Sequence, residues 1–153
     1  MDTQGNMNGA ILEELQLDAC VNLLRSTAVG RIAFLLETYP VVFPVNYRLV
    51  GDGEEMRLLL QTRPGNTIDK AHQRVGFQID GLDNTEGGWS VLVRGKMQHL
   101  RDPAHTEFLA SLDPTPWVPA DRDAWIAIEP VVITGRRLRA GGNPWPFDVR
   151  GYW

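Results

Sequence analysis

The sequence predicts a mainly β protein, a six-stranded antiparallel barrel with short flanking helices. Three observations carry this. Segments rich in Val, Ile, Leu and aromatic residues recur at strand length along the chain. The connections between the first three of them are short and carry turn residues, which favours antiparallel neighbours. The helical patterns that interrupt them are brief, too short to cover both faces of a parallel sheet.

Residues 1–10, with their Gly and Asn, read as a flexible leader to one folded domain over 11–140. Leu15 and Leu17 precede Asp18, which suits the N-cap of a short helix carrying Cys20, Val21, Leu23 and Leu24. Residues 28–36 read as the first strand, and Val41 to Val50 as the second after the turn Glu37-Thr38-Tyr39-Pro40. Gly51-Asp52-Gly53 has hairpin chemistry and leads to a third strand, Met56 to Gln61. The polar stretch Thr62-Arg63-Pro64-Gly65-Asn66 opens a short helix through about Arg74, with Asn66 placed to cap it. Val75 to Asp80 and Trp89 to Leu100 follow as strands, joined by the loop 83–88. Asp102-Pro103 opens a helix bearing Phe108, Leu109 and Leu112. The sixth strand covers 124–134, where Pro130 marks an edge or a bulge.

A chain of 153 residues suits one domain with a sizeable core. Its formal charge of −4, from 15 Lys and Arg against 19 Asp and Glu, argues against general nucleic-acid binding, which needs a dense basic surface. No apolar run approaches the roughly 20 residues that span a bilayer, so no membrane segment is expected. Residues 1–10 lack a basic region followed by an apolar block, and no secretory signal is expected. Cys20 has no second cysteine to pair with and no Asn-x-Ser/Thr sequon is present, which together favour a reducing, cytoplasmic setting.

Most catalytic signatures are missing. His72, His99 and His105 lack metal-ligand spacing, one cysteine makes no zinc pattern, and no Gly-rich nucleotide loop is present. Each histidine reads as a surface or structural residue. The stretch 61–70, Gln-Thr-Arg-Pro-Gly-Asn-Thr-Ile-Asp-Lys, is different in kind. It joins a strand to a helix start, whose free N–H groups favour an anion. Arg63 and Lys70 add positive charge, and Thr62 and Thr67 add hydroxyl donors. Asp80 is expected to pair with Arg94 or Arg74, and Gly135-Arg136-Arg137-x-Arg139 to form a charged strand end. The five tryptophans read first as packing residues.

Three further stretches stand in a telling order. They are Val29-Gly30-Arg31-Ile32-Ala33, then Val42-Phe43-Pro44-Val45-Asn46-Tyr47, then Gly76-Phe77-Gln78-Ile79-Asp80 followed by Gly88-Trp89-Ser90-Val91-Leu92-Val93-Arg94-Gly95. With 61–70 they resemble the pyridoxamine 5′-phosphate oxidase-like family of flavin-binding split β-barrels, from about Leu15 to Leu138. The resemblance implies a homodimer with FMN sites at the subunit interface. It implies that Pro44, Val45 and Asn46 lie near the isoalloxazine ring. Gln61, Thr62 and Arg63 with Asn66, Thr67 and Lys70 would surround the ribityl phosphate, and Trp89, Ser90 and Arg94 would complete the pocket. The tail 141–153 would pack on the domain or on the dimer partner.

Two departures refine this. Thr67 stands where the family commonly has lysine, which removes a charge at the phosphate and keeps F420 in view as an alternative to FMN. The ending Pro146-Phe147-Asp148-Val149-Arg150-Gly151-Tyr152-Trp153 lacks the Arg-Leu-x-Pro of true pyridoxamine phosphate oxidases, which argues against a vitamin B6 phosphate substrate. The function expected is a flavin-dependent oxidoreductase acting on a small organic molecule. The cofactor would carry the chemistry, so no catalytic acid or base need be visible. The alternatives are an F420-dependent reductase and a non-catalytic flavin-binding or sensing module.

Overall fold

The computed structural model describes residues 11–69, 74–83, 87–100 and 124–139. In the strands, the sequence alternation becomes inside and outside. Along residues 91–98, Val91, Val93 and Met97 are buried, while Leu92, Arg94, Lys96 and Gln98 face outward. The described strands are β1 (Ile11–Leu15), β2 (Val29–Leu36), β3 (Tyr39–Val50), β4 (Arg57–Thr62), β5 (Arg74–Asp83), β6 (Gly87–Leu100) and β7 (Ala124–Arg139). One helix, α1 (Leu17–Ser26), joins β1 to β2.

Six of the strands close a ring in the order β7-β4-β3-β2-β5-β6, with β6 returning to β7 and all neighbours antiparallel. This is the barrel the sequence predicts. Its interior holds Ile32, Leu58, Phe77, Ile79, Val91, Val93, Ile126 and Ile128, none with accessible surface. Burial of each such side chain stabilises the fold by about 1.5–3 kcal/mol before the entropy of ordering is counted. A bulge at Val131 of β7, where Arg94 pairs with Val132 and Gly95 with Pro130, bends the long β6–β7 ladder. Gly95 is needed there because a Cβ would come within 2.6 Å of the Glu129 carbonyl.

Helix α1 turns Cys20 and Leu24, one turn apart, onto β7, β3 and β6. The Cys20 thiol presses on Gly135, and its burial pushes the thiol pKa up. The helix C-terminus would leave carbonyls without donors. The Ser26 and Thr27 hydroxyls donate to the Leu23 carbonyl at 3.0 and 2.8 Å, and the Tyr47 hydroxyl donates to that of Leu24 at 2.7 Å. Tyr47 sits edge-on to Phe77 at 4.7 Å, and desolvation pushes its phenol up to about 12.

Several sequence expectations need correction. The helix N-cap is Gln16, not Asp18, which lies in the first turn, where the helix dipole favours its charge. Residues 64–69 form turns rather than the start of a helix, and Arg74 already belongs to β5. The β5–β6 hairpin is tighter than the loop 83–88 implies, since its strands run to Asp83 and from Gly87. Asp80 pairs with Arg31 at 2.9 Å rather than with Arg74 or Arg94. The seventh strand, β1, was not expected. Its Ile-Leu-Glu-Glu-Leu pattern does not alternate, and it forms by pairing with the end of β7. Glu13 and Glu14 stand across from Arg137 and Arg136, and Glu13 holds Arg139 at 3.0 Å. The arginine-rich strand end is therefore part of the sheet. Trp125 packs with Val50 and Leu100 on Leu59 and Ala127, a small apolar cluster separate from the main core. The expected leader, the helix at 102, Lys70, His72, His105 and the aromatic tail lie outside the described residues. Among the described residues, no helix is long and apolar enough to cross a membrane.

Candidate functional site

The site forms where two neighbouring strands part. Strands β3 and β4 pair only between Tyr47–Val50 and Arg57–Leu60. Beyond that ladder, Gln61 and Thr62 stay with β7, opposite Trp125 and Ala124. Val45 and Asn46 stay with β2, opposite Gly30 and Val29. The opening between them is a cavity of about 330 Å³. One wall is Pro44, Val45 and Asn46, the other Gln61, Thr62 and Arg63. Val29, Asn66 and Ile68 complete the lining.

Each wall has a physical support. Behind Val45, Gly30 lets the Phe77 ring lie against the β2 backbone, in space that any side chain at 30 would claim. Past Arg63 the chain turns sharply. Gly65 takes the left-handed conformation at φ +74, which glycine adopts without steric cost. The Asn66 amide nitrogen donates to the Thr62 hydroxyl, while its carbonyl oxygen accepts the Asp69 N–H at 2.8 Å. The Gly65 N–H donates to the Asp69 carboxylate at 2.7 Å. Asn66 therefore spends both ends of its side chain on the turn, as Asx residues do.

The result is a cleft with one charged side chain in its lining, Arg63, exposed and with no ion pair among the described residues. Thr62 presents a buried hydroxyl. Val29, Val45, Pro44 and Ile68 supply apolar surface. Such a cleft can hold an anionic group by charge at one end and a flat apolar body along its walls. Among the described residues, no group of three or more His, Cys, Asp or Glu could hold a metal ion.

Of the residues singled out by sequence, Pro44, Val45, Asn46, Gln61, Thr62, Arg63 and Asn66 come together in this cavity. Thr67 is half-buried in the turn but is not among the lining residues. Trp89, Ser90 and Arg94 lie on β6, away from the cavity. The Trp89 ring covers Gly81, Ser90 stands across from Asp80 and Arg136, and Arg94 borders a second cavity of about 520 Å³ with Arg74 and Lys96. Sequence reasoning missed the apolar liners Val29 and Ile68, and it missed Asp69 with its neighbour His99. Asp69 could have been suspected from its place four residues after a turn glycine. Nothing in the sequence points to His99, thirty positions further on.

Comparison with known proteins agrees with this architecture. The family described as pyridoxamine 5′-phosphate oxidase matches residues 16–137. An uncharacterised protein of Mycobacterium tuberculosis is 34% identical over 135 residues, 83% of this chain and 86% of that protein. The crystal structure of a FAD-binding protein from Mycobacterium smegmatis superposes with a TM-score of 0.71 at 32% identity, over 84% of this chain and 100% of that one. A FAD-binding protein from Mesorhizobium loti has the same fold, with a TM-score of 0.68 at 24% identity over 84% and 99% of the two chains.

Proposed function

Because the chain belongs to the pyridoxamine 5′-phosphate oxidase family, we propose that it binds a flavin nucleotide between β3 and β4 and acts as an oxidoreductase on a small organic molecule. One observation carries the reading: the two strands diverge to leave a cleft with apolar surface at Pro44 and Val45 and a polar wall from Gln61 to Arg63, whose side chain has no ion pair among the described residues. Arg63 and the Thr62 hydroxyl would hold the phosphate, and Pro44, Val45 and Asn46 would face the ring. The flavin, when bound, supplies hydride or electron transfer, so the chain need only bind, orient and exclude water. A volume of 330 Å³ is at the small end of the range for ligand pockets, roughly 300–1,000 Å³. The cofactor proposed is FMN, with FAD, which the M. smegmatis relative binds, as the larger rival and F420 as the third.

We also propose that a second copy of the chain completes the site. The outward face of the ring carries exposed apolar residues, Val29, Val42, Leu92 and Val131 among them, of the kind that mark an interface. Trp89, Ser90 and Arg94 lie on β6 outside the cavity of their own protomer, so a two-fold partner would bring them to it. The apolar surface of Val29, Pro44, Val45 and Ile68 suits a planar, weakly charged substrate. The test is anaerobic reduction of bound flavin, then mixing with quinone, nitroaromatic and pyridoxine-phosphate substrates. Reoxidation well above that of free FMN by at least one acceptor is expected. Reoxidation no faster than free FMN by all of them would leave a binding module, not an enzyme.

A further inference from the structure

The turn that borders the cleft is built on a nearly buried carboxylate, that of Asp69. The Asp69 side chain is 10% exposed, and its charge sits under the segment carrying Arg63. Burying an ionised carboxylate is costly unless it is paired and hydrogen-bonded. The turn supplies one bond, the Gly65 N–H at 2.7 Å on one carboxylate oxygen. The other oxygen meets Nδ1 of His99 at 3.2 Å. His99 lies on β6, on the ladder that closes the barrel, where it pairs with Ile126 of β7. The contact thus fastens a mobile kind of element, a glycine turn, to the most extensive ladder of the sheet.

We propose that His99 is a positioning residue for the ligand's anionic end, acting through Asp69. The imidazole Nδ1 lies 3.2 Å from one carboxylate oxygen, the other oxygen accepts the Gly65 N–H, the Asp69 N–H donates to the Asn66 side-chain oxygen, and the Asn66 amide donates to the Thr62 hydroxyl. The chain of contacts runs from the barrel wall to the strand end from which Arg63 projects. His99 itself does not line the cavity. This rests on the flavin reading for its ligand, while the strut itself can be measured without one.

The experiment compares the full-length wild-type protein with His99→Leu and His99→Asn. Leucine keeps the bulk and removes the polar nitrogen, whereas the asparagine amide can place a nitrogen near the position of Nδ1. In the ligand-free proteins, amide hydrogen exchange at Gly65 should quicken at least about tenfold in H99L and stay near wild type in H99N. FMN binding should weaken about tenfold or more in H99L and recover to within about threefold in H99N. Riboflavin, which lacks the phosphate, should bind all three proteins alike. Unchanged Gly65 exchange in H99L overturns the strut, as does an equal loss of riboflavin and FMN, or a failure of H99N to rescue. A wild-type protein that binds neither flavin overturns the functional reading, and the exchange rates still decide the strut.

Discussion

Replacing Gly30 by alanine tests whether the cleft wall is set by the packing described above. An ideal Cβ at position 30 would overlap the edge of the Phe77 ring at Cζ, with Cε2 at 2.8 Å and the Gln78 carbonyl at 3.0 Å. Comfortable carbon contacts lie at about 3.5–4.0 Å, so either the ring or β2 must move by the order of an ångström. The ring has no free direction. Phe77 is fully buried and meets Tyr47 edge-on at 4.7 Å. Overpacking of this kind costs about 1–3 kcal/mol, and a locked ring puts this site in the upper half. For a chain of this size, about 2–3 kcal/mol lowers Tm by roughly 4–12 °C. The strain also reaches the site, because Gly30 stands opposite Val45 and its neighbour Val29 opposite Asn46. G30A should therefore weaken ligand binding as well as stability. Thermal and urea melts of G30A, F77L and the double variant read the effect. The alanine should cost at least about 1 kcal/mol less in the F77L background, where the ring is gone. A G30A protein within about 0.5 kcal/mol of wild type would refute the reasoning, as would an equal cost in both backgrounds.

Three other outcomes are expected. Arg63→Ala should weaken FMN binding at least about tenfold, the loss of one charge-assisted bond, with riboflavin affinity unchanged; fluorescence titration reads both. Stability should fall between about pH 10 and pH 12 as the unfolded phenol ionises before that of Tyr47, which burial pushes up to about 12. The contribution is present below pH 10, amounts to about 2–3 kcal/mol, and should vanish from the alkaline melting profile of Tyr47→Phe. If Arg94 serves the partner's cleft, mixed dimers of R63A and R94A chains should regain one wild-type site of two, because both defects fall in the same site. Sites that are all impaired would place Arg94 in its own protomer's cleft.

The barrel was legible because its strands alternate strongly and their turns carry hairpin residues. The interior set from Ile32 to Ile128 could be read by period alone. The misses have local causes. β1 has too few residues and no alternation, and its strand state is conferred by β7. Residues 64–69 offer an N-capping pattern, but Asn66 uses it to close a turn on Thr62 and Asp69. Within the site, the polar liners Gln61, Thr62, Arg63 and Asn66 fall in one short stretch and stood out. Val29 and Ile68 did not, since an apolar residue on a strand reads as core whichever cavity it faces. His99 was unreadable for a different reason. Its meaning comes from a contact with Asp69 that only the closed barrel creates.

The central claim is that the cleft between β3 and β4 is a flavin site, and equilibrium titration of the purified protein tests it most directly. FMN, FAD, riboflavin and F420 would be added separately to wild type and to R63A, with flavin fluorescence and absorbance as the signal. Saturable binding of a flavin nucleotide at one per chain is expected, tighter for FMN than for riboflavin, with that preference lost in R63A. Binding of none of the four up to millimolar concentration would contradict it, and so would a nucleotide preference that survives the loss of Arg63.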